Sequence, residues 1–161
     1  QCYAGRNAVN LGIGGDRTQH VLWRLENGNL EGIAPKLAVI MIGTNNSGDN
    51  TPAEIAAGVK RIVQTIRAKT PETKILGLAI FPRGKTSEDP RHLVNVQANA
   101  IIAKLADGKN VFFQDIGAAF LRDGKLTAEV MPDFLHLTPE SYTLWAKAIE
   151  PTVARLMGEK K

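Results

Sequence analysis

Asp133 and His136 stand three residues apart in "DFLH", a type and spacing suited to proton chemistry. A carboxylate that holds one imidazole nitrogen leaves the other free to act as a general base. An acidic loop residue beside a surface histidine would look the same. In "GIGGD", residues 12–16, glycines let backbone N–H groups turn outward at a helix start, where free donors and the dipole favour a phosphate or an oxyanion. A plain tight turn with φ > 0 is the competing explanation. As a dinucleotide fingerprint the stretch fails, because Arg17 occupies the place of the third glycine. "GTNN", residues 43–46, offers the neutral amide of Asn45, which can donate to a developing oxyanion; the alternative is a turn-forming Asn pair.

Other polar residues are weaker candidates. His20 and Trp23 fall in the helix after "GIGGD" and read as surface and core respectively. Arg83 in "FPRG" either reaches over a pocket or is a solvated loop arginine, and His92, in the first turn of a helix, reads as surface.

These residues need a scaffold that collects loops at one edge. "NAVNL" (7–11) reads as a short strand leading into the glycine turn, and Val21, Leu22 and Leu25 then recur at helical spacing. "KLAVIMIGTNN" (36–46) is a continuous apolar run, as expected of a central strand buried on both faces. Thr51, Pro52 and Glu54 open a helix over 51–69 as N-cap, first-turn proline and capping box, with Ile55, Val59, Ile62, Val63 and Ile66 on one face. A second buried strand lies in 74–84. A helix over 89–108 follows, with Leu93, Val96, Ala100, Ile101 and Leu105 expected inward, and then a third buried strand over 110–117. Residues 118–133 read as mostly irregular, with a "DGK" turn; the last helix, 139–157, carries Tyr142, Trp145, Ile149, Val153 and Leu156 on one stripe. Alternating buried strands and helices predict one domain, a three-layer α/β/α sandwich on a parallel sheet, whose ligand site lies at the carboxyl ends of the strands.

A chain of 161 residues with 43% hydrophobic content can bury one core. No apolar run approaches the roughly 18 residues of a membrane span, and residues 1–20 lack the pattern of a signal peptide. The single cysteine, Cys2, excludes an internal disulfide framework and a thiolate metal site. A net charge of +4 comes from basic residues spread along the chain rather than from a stripe interleaved with aromatics, so no nucleic-acid partner is expected.

In order, "NLGIGGDRT", "GTNN" and "DFLH" resemble three of the four sequence blocks of the SGNH hydrolases, also called the GDSL family. The likeness extends to "HVLWRLENG" and "FPRG", and within the family it looks closest to the catalytic subunits of platelet-activating-factor acetylhydrolase and their bacterial relatives. The resemblance implies a flavodoxin-like sheet of five parallel strands, no metal or other cofactor, and serine esterase chemistry on short acyl or acetyl esters. It assigns Gly15 a backbone N–H and Asn45 a side-chain amide to the oxyanion hole, His136 the general base, and Asp133 its orienter.

The family's nucleophile sits in a "GDS" block after the first strand, upstream of the glycine block, and the expectation is that this block and its strand are missing here. Ser47, beside Asn45, and Ser141, one helical turn past His136, have no obvious line of attack; Cys2 is chemically apt but unpositioned. Loss of an interior strand would expose two sheet edges, which predicts a homo-oligomer or strand-exchanged dimer, direct closure of the gap, or a retained peptide. A non-catalytic ester-binding or assembly subunit of the same fold is the alternative to an esterase.

Overall fold

Helix α2, Pro52–Lys69, starts as its sequence predicts. The Thr51 side chain accepts from the Glu54 N–H at 3.3 Å, while the Glu54 carboxylate accepts from the Thr51 N–H at 2.8 Å. The same logic opens α3, Pro90–Ile102, where Asp89 accepts from the N–H groups of Arg91 and His92, and α4, Pro139–Met157, where Thr138 accepts from Ser141. Helix α4 ends at Gly158, whose φ of 74° supplies the left-handed cap. A shorter helix α1, Thr18–Glu26, precedes them. This computed structural model describes residues 3–159.

Strands β1 (Leu37–Ile40), β2 (Lys74–Leu78) and β3 (Val111–Gln114) form one parallel sheet in that order. Leu37 pairs with Lys74 and Ile75 with Val111. Alternation along β2 feeds two cores. Ile75 packs with Leu25, Ile62 and Ile66 from α1 and α2. Leu76 and Leu78 point the other way, to Ile149, Val153 and Leu156 of α4. A third cluster joins Ile55 and Val59 of α2 to Ile80 and to Ala98 and Ile102 of α3. The result is the expected α/β/α layering, with α1, α2 and α3 on one face and α4 on the other.

Several expectations are corrected. "NAVNL" forms no strand: residues 8–13 have no regular secondary structure and are exposed, since no neighbouring strand takes up their backbone groups. Among the described residues the sheet has three strands rather than the five that the resemblance implied or the four left after removing one. The gap is not closed by pairing residues 7–11 with β1, so β1 is an edge strand rather than a central one, and Val39 is 43% exposed. On α3 the inward stripe is Asn95, Ala98 and Ile102; Leu93, Val96, Ala100 and Ile101 face outward and Leu105 is half-buried. Apolar residues on both sides of that helix left its phase undecided. On α4, Ile149, Val153 and Leu156 are buried as expected, Trp145 is half-buried, and Tyr142 is 54% exposed. The 118–133 excursion contains a small hairpin, Leu121–Arg122 against Lys125–Leu126 (β4 and β5), around the predicted "DGK" turn.

Candidate active site

The loops that follow β1 and β2 and the loop that leads into α4 come together. Gly84 donates its N–H to the Phe134 carbonyl at 2.9 Å, which ties the "FPRG" loop to "DFLH". Arg83 donates from one guanidinium nitrogen to the carbonyl and hydroxyl of Thr44, at 3.0 and 3.1 Å, which ties the same loop to "GTNN". Between them lies a polar cleft of about 170 Å³ that Asn45, Thr44 and Leu135 help to line.

Asp133 and His136 form the expected pair. Nδ1 of His136 lies 2.6 Å from one Asp133 carboxylate oxygen, while the other oxygen accepts from the backbone N–H groups of Leu135 and His136. Phe134, at φ 59°, makes this possible: its left-handed kink turns the next two N–H groups back onto the carboxylate. These contacts, led by the His136 backbone N–H and then its ring, hold the Asp133 carboxyl down at about 2. With Nδ1–H engaged by the carboxylate, Nε2 is left as the proton acceptor. Both side chains are exposed, at 76% for His136 and 56% for Asp133, so the ring is accessible from solvent.

The glycine turn and Asn45 are tied together by the Asn45 side-chain amide, which donates to the carbonyl of Asp16, the residue after Gly15, at 2.9 Å. An amide NH₂ has two hydrogens, so one remains for a ligand. Gly15 sits in this turn at φ 80°, a conformation that favours glycine. The turn is clamped from behind by a bidentate ion pair between Asp16 and Arg24 of α1, which holds the Asp16 carboxyl below its usual range.

Sequence reasoning missed three contributors: Asp16 with Arg24, Asn46, and Phe134. Asn46 is 3% exposed; its Oδ1 accepts from the Thr18 N–H at 3.0 Å and its amide donates to Gln19 and Asn50. It therefore stitches the glycine turn and α1 to the "GTNN" loop, a role that an Asn-Asn pair in sequence does not separate from that of Asn45. Other candidates fall differently from expectation. Trp23 is 64% exposed rather than core. His92 is half-buried, and its Nδ1 accepts from the Arg83 N–H at 3.4 Å. Arg83 is half-buried against Thr44 rather than solvated. His20 is on the surface, as expected. The hydroxyls of Ser47 and Ser141 are occupied, donating to the carbonyls of Thr44 and Val130 at 2.7 and 2.9 Å, and both residues are buried. Cys2 lies outside the described residues.

Residues 1–144 match the GDSL-like Lipase/Acylhydrolase family. The chain is 40% identical to platelet-activating factor acetylhydrolase IB subunit alpha2 of Rattus norvegicus, over 99% of this chain and 69% of that one. It is 38% identical to subunit alpha1 of Homo sapiens over the same shares. Among solved structures, an acetylxylan esterase from Geobacillus stearothermophilus superposes with a TM-score of 0.75 at 21% identity, covering 94% of this chain and 72% of that one. A GDSL-like lipase from Bacteroides thetaiotaomicron gives 0.74 at 17% identity, over 96% and 78%. At those identities the superpositions speak for the fold alone.

Proposed function

Since the chain belongs to the GDSL-like lipase/acylhydrolase family, whose members are ester hydrolases, we propose that it serves the hydrolysis of short acyl esters, acetyl esters above all. The observation that carries this reading is the Asp133–His136 pair at 2.6 Å, on a loop whose Leu135 lines the same cleft as Asn45. The acetylhydrolase relatives support acetyl as the acyl group.

In this reading His136 Nε2 takes the proton of a serine hydroxyl as that oxygen attacks the ester carbonyl. Asn45 and the Gly15 N–H stabilise the tetrahedral oxyanion. Collapse breaks the ester bond, and the proton on His136 passes to the departing alcohol. Water then attacks the acyl-enzyme by the same route and releases the acid. Because Ser47 and Ser141 are buried and engaged, the proposed nucleophile is a serine on a Gly-Asp-Ser segment that is not among these 161 residues. The unpaired edge of β1 and the exposed Val9, Leu11 and Ile13 support assembly into a homo-oligomer or strand-exchanged dimer.

The test is turnover of a chromogenic acetyl ester by the chain alone and with a Gly-Asp-Ser strand added. Activity that needs the serine and disappears in His136→Ala supports the reading. Binding of esters with no turnover in either form would make the chain a non-catalytic subunit of this fold, and turnover that survives His136→Ala would assign it to another site.

A further inference from the structure

Asp16 stands between the two groups proposed as oxyanion donors. Its chain neighbour Gly15 offers a backbone N–H, and its own carbonyl accepts one hydrogen of the Asn45 amide at 2.9 Å. A side-chain amide is planar, so fixing one of its two N–H bonds fixes the direction of the other. The place of residue 16 therefore sets both the position of the Gly15 N–H and the aim of the free Asn45 hydrogen. Whatever holds Asp16 holds the pair of donors.

The turn itself holds Asp16 weakly. Residues 11–15 are exposed, three of them are glycine, and the Asp16 N–H donates to the Ile13 carbonyl at 3.3 Å. The firm contact comes from α1. Arg24 donates from Nη1 to one Asp16 carboxylate oxygen at 2.9 Å and from Nη2 to the other, and Nη2 also reaches the Leu11 carbonyl at 3.3 Å. One guanidinium thus spans the turn from Leu11 to Asp16. The contact is sheltered, with Asp16 8% exposed and the Arg24 side chain 17% exposed. The His20 ring, 4.0 Å from the same carboxylate, is exposed and a lesser neighbour. An ion pair so sheltered is a poor source of stability, because desolvation of both charges offsets most of their attraction. Nε of Arg24 is also buried without a partner, which adds to that cost. What the pair supplies is geometry. Arg24 is not among the residues that line the cleft, so it acts from behind the turn.

We propose that Arg24 is a positioning residue for ester hydrolysis, which acts through Asp16 to set the geometry of the Gly15 and Asn45 donors without touching the ester. The assignment deepens the esterase reading and rests on it for the reaction concerned.

Two measurements test it. In the isotope-labelled 161-residue chain, Arg24→Met should shift the Gly15 amide and both Asn45 side-chain amide resonances, while the amides of Ile102 and Leu156, in cores away from the turn, keep their parent positions and report an intact fold. Arg61→Gln, which removes the exposed ion pair to Glu26 of the same helix α1 at 3.7 Å, should shift none of these. In the serine-bearing form, Arg24→Met should lower kcat for an acetyl ester about tenfold, less than deletion of a donor would, with KM within about twofold of the parent. Asp16→Asn should act alike, and the double variant should be no slower than the slower single one, since both substitutions cut one link. Should Arg24→Met fail to fold, Arg24→Lys, which keeps the charge but not the planar fork, takes its place in both measurements. Unmoved Gly15 and Asn45 resonances, a loss that appears in KM instead of kcat, or losses that multiply in the double variant overturn the proposal. A serine-bearing form without turnover would instead defeat the esterase reading and leave Arg24 to be judged by the resonances, whereas turnover indifferent to Arg24 would leave the hydrolase standing without this residue.

Discussion

At the scale of single residues, the arrangement of the Asp133 carboxylate has a direct titration consequence. Its folded pKa of about 2 lies below the ordinary carboxyl value of roughly 3.9. A depressed carboxyl pKa favours the folded loop above the ordinary value, and that contribution is lost as pH falls through the folded one. Asp133 therefore stays ionised across the whole range in which an imidazole titrates, and carboxyl-carbon NMR should place its midpoint near pH 2. In His136→Ala the midpoint should rise yet stay below the ordinary value, because the leading contribution, the backbone N–H at position 136, survives the substitution. A complete return to the ordinary value would show that the imidazole alone sets it. Asn45 makes a different prediction. Asn45→Ala removes both the free amide hydrogen and the tether to the Asp16 carbonyl, so kcat for acetyl esters in the form that turns over should fall on the order of 100-fold. An unchanged kcat would take Asn45 out of the oxyanion hole.

At the scale of elements, the site depends on how closely α1 approaches α2. A Cβ added at Gly58 would sit 2.5 Å from Thr18 Oγ1 and 2.7 Å from its Cβ, so the two helices meet through a glycine. Thr18 is also the residue whose N–H is held by Asn46. Gly58→Ala should destabilise the fold by about 1–3 kcal/mol and shift the amide resonances of Thr18 and Asn46 with it. A melt indistinguishable from the parent would mean that the helices separate without cost. Helix α3 separates two kinds of apolar residue that look alike in sequence. Ile102→Ala, in the buried stripe, should cost about 2–5 kcal/mol, whereas Leu93→Ser, on the outward face, should stay within roughly 0.5 kcal/mol of the parent by denaturant unfolding. A larger loss in Leu93→Ser than in Ile102→Ala would put the helix in the phase expected from sequence.

At the scale of the whole molecule, the sheet is open on one side. β1 is paired only with β2, and Val9, Leu11 and Ile13 are 69, 39 and 59% exposed in the stretch before α1. An unpaired strand edge beside exposed apolar residues is a template for further pairing. Adding a strand that ends in Gly-Asp-Ser ahead of Asn7 should therefore raise the melting temperature and acetyl-ester turnover together. Light scattering should show the 161-residue chain as a dimer or larger assembly and the extended protein as less associated. A stable monomer of the short chain would count against strand exchange, and an extended protein that is more stable yet no more active would set aside the roles given to Asp133 and His136.

The sequence by itself determined what is local. Thr51, Asp89 and Thr138 mark helix starts because a cap needs only its own next few N–H groups. The Asp133–His136 pair was legible for the same reason, as three residues span one turn and the contact closes within it. What depends on distant partners was decided only by the tertiary structure. The apolar run "LAVI" reads as a central strand, but whether a strand is central is a property of its neighbours, and β1 has one. "NAVNL" has the composition of a strand, yet backbone groups become a strand only against a partner, and none takes them up. Arg83 could not be told from a solvated loop arginine until Thr44, thirty-nine residues away in the chain, was seen to hold it. Nor does any spacing place Arg91 beside Gly48, forty-three residues away, since the loop after β1 and the first turn of α3 meet only in the folded chain.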